Sequence, residues 1–152
     1  MIILRDINET KKWAREFARG LRAPVTVALH GDLGMGKSEI ARAIIHELCG
    51  ADTIVPSPTF TIVQGYKCMT PHPSSQSDDT RPPSGAGESG ISHFDLYRIT
   101  DASELEEIGL PHAIANDITL IEWPEIATHI LPRDTIHIYI EQYGDGRELT
   151  LK

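Results

Sequence analysis

A chain of 152 residues with 40% hydrophobic content is long enough for one domain with a real core and too short for two comfortable ones. Its 14 Lys and Arg stand against 22 Asp and Glu, and a formal charge of −8 excludes a broad basic face that would hold a nucleic acid by phosphate neutralisation. Met1-Ile-Ile-Leu meets a charge at Arg5, no apolar run approaches membrane-spanning length, and Cys49 and Cys68 lack metal-ligand spacing. These features predict a soluble cytoplasmic protein with no disulfide framework and no zinc site.

In chain order, a short strand at residues 2–4 precedes Asn8, a plausible cap, and then Trp13, Ala14, Phe17, Ala18 and Leu21 recur at helical spacing. This amphipathic helix ends near Gly20 and is stopped by Pro24. A strand over 25–30 runs into a glycine-rich loop and a helix over 38–49, with Gly50 as its C-terminal cap. Val55-Pro-Ser-Pro-Thr-Phe60 is too proline-rich for a helix and feeds a strand over 60–66. Residues 68–90 hold four prolines among Ser, Asp and Gly with almost no large apolar side chain, the composition of a flexible insertion.

Strand character returns over 91–97, Asp101 with Glu104 resembles a capping box opening a short acidic helix, and Pro111 starts another. Residues 118–123 form an apolar run ending in an acid, as a buried parallel strand delivers a carboxylate to the ligand edge of a sheet. Residues 135–143 and 147–151 flank Gly144-Asp-Gly146 as an antiparallel hairpin. The expected fold is a single α/β three-layer domain over 1–152, with a mixed, mainly parallel central sheet and a C-terminal antiparallel hairpin.

Gly31-Asp-Leu-Gly-Met-Gly-Lys-Ser38 matches G-x-x-x-x-G-K-[ST] between a strand and a helix, the context of a phosphate cradle. Its glycines let successive N–H groups point at a di- or triphosphate, and the following helix adds its positive N-terminal end. Asp32, Leu33, Gly34, Met35, Gly36, Lys37, Ser38 and Glu39 are therefore the expected nucleotide-binding positions. Lys37 would reach the β and γ phosphates and the Ser38 hydroxyl would ligate Mg²⁺. The alternative is a glycine-rich turn whose lysine is merely solvated.

Hydrolysis or transfer also needs a metal carboxylate and a group that orients the attacking atom. Glu122 closes the apolar run from Ile118 to Ile121, and period-two alternation places His93, Asp95 and Tyr97 on one strand face. The alternative for Asp95 is a surface carboxylate beside Arg98. Which acid ligates the metal directly stays open. Thr59, in the loop after the helix, is the candidate switch residue that contacts Mg²⁺ or the γ-phosphate, or else belongs to a simple strand-entry turn. Trp123 could stack on a base, on a partner or in the core. His30, His93 and His112 are scattered rather than grouped for a metal.

Together and in this order, the phosphate loop, Ser57-Pro-Thr-Phe60, His93-Phe-Asp-Leu-Tyr-Arg98 and Glu122-Trp123 resemble the TsaE family of small bacterial ATPases over nearly the whole chain. The resemblance implies a P-loop NTPase domain that assists threonylcarbamoyladenosine formation on tRNA with the TsaB and TsaD proteins, TsaD carrying the transferase chemistry. It also implies ATP and Mg²⁺ at the loop, Thr59 as switch, Asp95 near the metal and Glu122 as metal-side or water-orienting acid. Trp123 matches the family's tryptophan beside that acid, and Thr10 a threonine that helps bind the adenine end. Ser38 stands where Thr is usual and keeps the hydroxyl, while residues 67–90 exceed the family's usual link.

With a charge of −8, tRNA would be reached only through the complex. Two other functions fit a phosphate loop: a small-molecule or nucleoside kinase, and a nucleotide-gated binding module without essential turnover. A kinase would usually carry a lid with several arginines, and only Arg98 lies in a motif. A GTPase would need an Asn-Lys-x-Asp segment that the chain lacks.

Overall fold

The computed structural model describes residues 1–58, 61–68 and 90–152. Its elements are β1 (Ile2–Leu4), α1 (Ile7–Ala18), β2 (Val25–His30), α2 (Lys37–Cys49), β3 (Val63–Tyr66), β4 (Ile91–Asp95), α3 (Glu104–Glu107), α4 (Leu110–Asn116), β5 (Ile118–Glu122), a 3₁₀ turn (Pro124–Ala127), β6 (Ile136–Tyr143) and β7 (Gly146–Leu151). The strands join in one sheet of order β1-β7-β6-β2-β5-β4-β3.

The four central strands β6, β2, β5 and β4 run parallel. β7, β1 and β3 add antiparallel pairings toward the two edges. Alternation along the central strands sorts their side chains to two faces. Val27, Leu29, Leu120, Ile138 and Ile140 pack with α1 and α2 residues such as Ala14, Ile40 and Ile44. Phe94 and Ile121 point the other way, into a second core with Leu105 of α3, Leu110 of α4 and Ala127. Helices on both faces of a largely parallel sheet make the expected three-layer α/β architecture.

Several local expectations are corrected. The α1 cap is Asp6 rather than Asn8: its carboxylate accepts from the Asn8 and Glu9 amides at 2.8 and 3.0 Å. β3 begins at Val63 because Ile62 turns to φ 67°, outside the strand region. β4 stops at Asp95, whose carboxylate accepts the Tyr97 amide at 3.0 Å and turns the chain there, so Tyr97 leaves the strand face. Asp101 accepts from the Ser103 amide and hydroxyl instead of closing a capping box on the acidic helix. Thr59 and Phe60 lie outside the described residues, as does the expected insertion over 68–90 except for its ends.

Cys49 ends α2 and Cys68 follows β3, and the fold brings their Cα atoms to 4.6 Å with the two sulfurs side by side, a proximity not expected from the sequence. That separation is within disulfide range. Their 19-residue sequence spacing carries no sign of it.

Candidate functional site

Parallel strands in register deliver three strand ends to one edge of the sheet. Asp95 pairs with Glu122, and Glu122 with Leu29, one residue before β2 ends at His30 and the glycine-rich loop begins. Alternation then places His93, Asp95 and Glu122 on the face covered by α2, whose first turn carries Lys37 and Ser38. Ligands of open parallel sheets collect at such carboxyl ends.

The loop conformation depends on its glycines. A Cβ on Gly31 would sit 2.8 Å from the Ile140 carbonyl of β6, and Gly34 and Gly36 take φ of 80° and 102°. Side chains rarely adopt these backbone angles. The result is an open cleft of about 260 Å³ lined by Leu33, Gly34, Gly36, Lys37, Ser38, Glu39, Asp95, Glu122 and Trp123. Asp32 and Met35 are not among the lining residues; they close a turn within the loop, the Met35 amide donating to the Asp32 carbonyl at 3.2 Å.

Lys37 is folded back rather than solvated, only 5% exposed. Its ammonium donates to the carbonyls of Gly31 and, at 2.9 Å, Asp32, and lies 3.9 Å from the centre of the Trp123 ring. Burial lowers its pKa from the ordinary lysine value, while Glu122, Asp95, Glu125 and Asp32 pull the other way. Trp123 therefore faces the cleft, not the core. It holds φ 55°, an unusual backbone for a bulky residue, and Tyr97 packs beside it with ring centres 4.9 Å apart.

Behind the lysine runs a buried polar chain. The Ser38 hydroxyl donates to Glu122 Oε1 at 2.7 Å, and His93 Nε2 donates to Glu122 Oε2 at 2.8 Å. His93 and Glu122 are 1% and 2% exposed. His93 Nδ1 has no hydrogen-bond partner among the described residues. Asp95, 6% exposed, lies beside Glu122 at the same sheet level. Single-residue reading leaves His93 as an isolated histidine. Its signal is the two-residue step to Asp95, which puts both on the face that Glu122 reaches from the next strand.

The fold thus brings Lys37, Ser38, Asp95, Glu122 and Trp123 to one cleft. Thr10 sits in α1 with its hydroxyl donating to the Asp6 carbonyl at 3.1 Å, and is not among the cleft-lining residues.

A mainly parallel three-layer sheet with a Gly-x-x-x-x-Gly-Lys-Ser loop between its central strand and a helix is a P-loop α/β domain. The family model described as "Threonylcarbamoyl adenosine biosynthesis protein TsaE" matches residues 4–149. The chain belongs to the TsaE family. It is 39% identical over 147 residues to a Rickettsia bellii protein named tRNA threonylcarbamoyladenosine biosynthesis protein TsaE, covering 97% of this chain and 90% of that one. A Haemophilus influenzae protein of the same name is 37% identical over 128 residues, 84% of this chain and 69% of its own. The crystal structure of Bacillus subtilis YdiB shares the fold, with TM-score 0.68, 24% identity and coverage of 99% of this chain and 82% of that one.

Proposed function

We propose that this chain is an ATPase of tRNA threonylcarbamoyladenosine biosynthesis, binding and hydrolysing ATP with Mg²⁺ to support turnover of a TsaB–TsaD transferase complex in the cytoplasm. The observation that carries the reading is the Ser38–Glu122 contact at the mouth of the glycine loop, with Lys37 and Asp95 alongside.

The donor set suits Mg²⁺: the Ser38 hydroxyl and the Asp95 and Glu122 carboxylates are hard oxygens, and among the described residues no thiolate or imidazole lines the cleft. Ser38 would hold the ion together with Glu122 or Asp95. When bound, Mg²⁺ supplies charge neutralisation for the phosphate oxygens. Lys37 would exchange the carbonyls of Gly31 and Asp32 for phosphate oxygens, leaving the Trp123 ring. The carboxylate not committed to the ion would orient the attacking water. Thr59 keeps the switch role that the family resemblance implies, and Thr10 the adenine end.

The acidic charge of −8 supports an accessory role in which tRNA is met only through the partners. The test is steady-state phosphate release with and without the TsaB and TsaD pair from the same organism, alongside a pull-down in ATP and in ADP. A gain of at least about tenfold, roughly 1.4 kcal/mol of barrier, is expected, and Thr59→Ala should blunt it. Equal hydrolysis with and without the pair, or no binding in either nucleotide, would make a kinase or a free-standing ATPase the better reading.

A further inference from the structure

We propose that Arg147, on the C-terminal hairpin, is a positioning residue that pins the glycine loop in its phosphate-ready shape. The proposal rests on the nucleotide reading above for its ligand class, a di- or triphosphate, and on separate geometry for the pin itself. Arg147 follows Gly146 at the start of β7, two strands away from β2 in the sheet. Its guanidinium nonetheless crosses to the loop: Nε donates to the Met35 carbonyl at 3.1 Å and Nη2 lies 3.4 Å from the Gly34 carbonyl. Nη1 is held in turn by the Gln142 side chain at 2.8 Å and the Gly146 carbonyl at 2.9 Å.

The planar guanidinium is thus anchored to the hairpin through one nitrogen and presents the other two to the loop. In a trans peptide the C=O and the following N–H point in opposite directions. Drawing the Met35 carbonyl outward to Arg147 turns the Gly36 amide to the cleft side, where a phosphate oxygen would be met. Without the pin, a stretch holding Gly34 and Gly36 has large conformational freedom to lose on binding. An ordered cradle avoids that loss. The hairpin also braces the loop's start, since the Ile140 carbonyl leaves Gly31 no room for a side chain.

The test uses Arg147→Met and Arg147→Lys. Amide hydrogen exchange over residues 32–37 of the nucleotide-free protein should quicken at least tenfold in Arg147→Met, with β2 and β5 amides unchanged. By calorimetry, ADP and ATP should bind at least tenfold more weakly to Arg147→Met. Arg147→Lys keeps the charge but has one ammonium for two carbonyls, and should lose at least fivefold. Loop exchange equal to the parent in Arg147→Met overturns the pin. So does an Arg147→Lys protein within twofold of the parent in both exchange and affinity, since charge alone would then suffice. If Arg147→Met does not fold, Arg147→Lys decides by the same two measurements. A parent that binds neither nucleotide defeats the proposed function, whereas the exchange measurement still decides the pin.

Discussion

Ser38 Oγ lies 2.7 Å from Glu122 Oε1, so the first turn of α2 and the end of β5 are tied at the atoms an oxygen-seeking cation would use. A carboxylate that is 2% exposed is costly to bury unless it has partners, and Glu122 has Ser38 and His93. Glu122→Gln and Asp95→Asn preserve shape and remove charge. Each should lower the rate of ATP hydrolysis with partners by at least about tenfold, near 1.4 kcal/mol, while shifting nucleotide affinity much less. Parent-like hydrolysis in both variants would make the two acids structural.

Lys37 carries a different expectation from the one a solvated loop lysine would give. It is buried, and its ammonium satisfies the carbonyls of Gly31 and Asp32. Lys37→Met should abolish hydrolysis and also destabilise the fold by about 1–3 kcal/mol, the scale of a hydrogen-bonding group left unpaired. Urea unfolding beside a phosphate-release assay checks both. Undiminished turnover in folded Lys37→Met protein would remove the lysine from the chemistry.

His93 orients Glu122 without lining the cleft itself. His93→Gln places an amide donor at similar reach, whereas His93→Leu leaves Glu122 Oε2 without that bond. We expect His93→Leu to lower kcat at least about tenfold with KM nearly unchanged, and His93→Gln to recover most of the loss. Equal kinetics for the two variants would show that the hydrogen bond does not matter.

A pH dependence is expected from His30, which closes β2 just before the loop. It shares a 2.8 Å hydrogen bond with His137, stacks on Tyr139 and has Glu125 3.6 Å from its other nitrogen, with Lys152 over the far ring. Burial lowers its pKa from the ordinary value, with His137 adding to the effect and Glu125 opposing it. Below about pH 6.5, the usual histidine value, the unfolded chain therefore takes up this proton more readily than the folded one. Stability from this group is complete above that pH and declines as pH falls. A His30–His137 hydrogen bond also needs one neutral ring to accept it. Melting temperature should drop on moving from neutral to mildly acidic buffer, and less so in His30→Gln. The same drop in both proteins would clear His30 of the effect.

Much of the site was legible in the chain because its chemistry is local. Gly31 to Ser38 needs only its own glycines, the strand before it and the helix after it. Glu122 announces itself by closing an apolar run. The Trp123 orientation was open because an aromatic can face either a core or a cleft, and it faces the cleft through a positive φ that pattern does not report. The Asp95 turn shows the same limit: one side-chain hydrogen bond ended β4 early and took Tyr97 off its face.

By itself the sequence determined the order of strands and helices, the glycine-rich loop and the two candidate acids, since periodicity, glycine placement and strand-end carboxylates act over a few residues. Only the tertiary structure decided that Glu122 joins Ser38 to His93, that Cys49 meets Cys68, that Lys37 lies against Trp123 and that Arg147 reaches Met35. Each of these contacts joins residues far apart in the chain. Its existence depends on which strands become neighbours and in what register, and that is set by burying two helical layers against one sheet rather than by any local pattern.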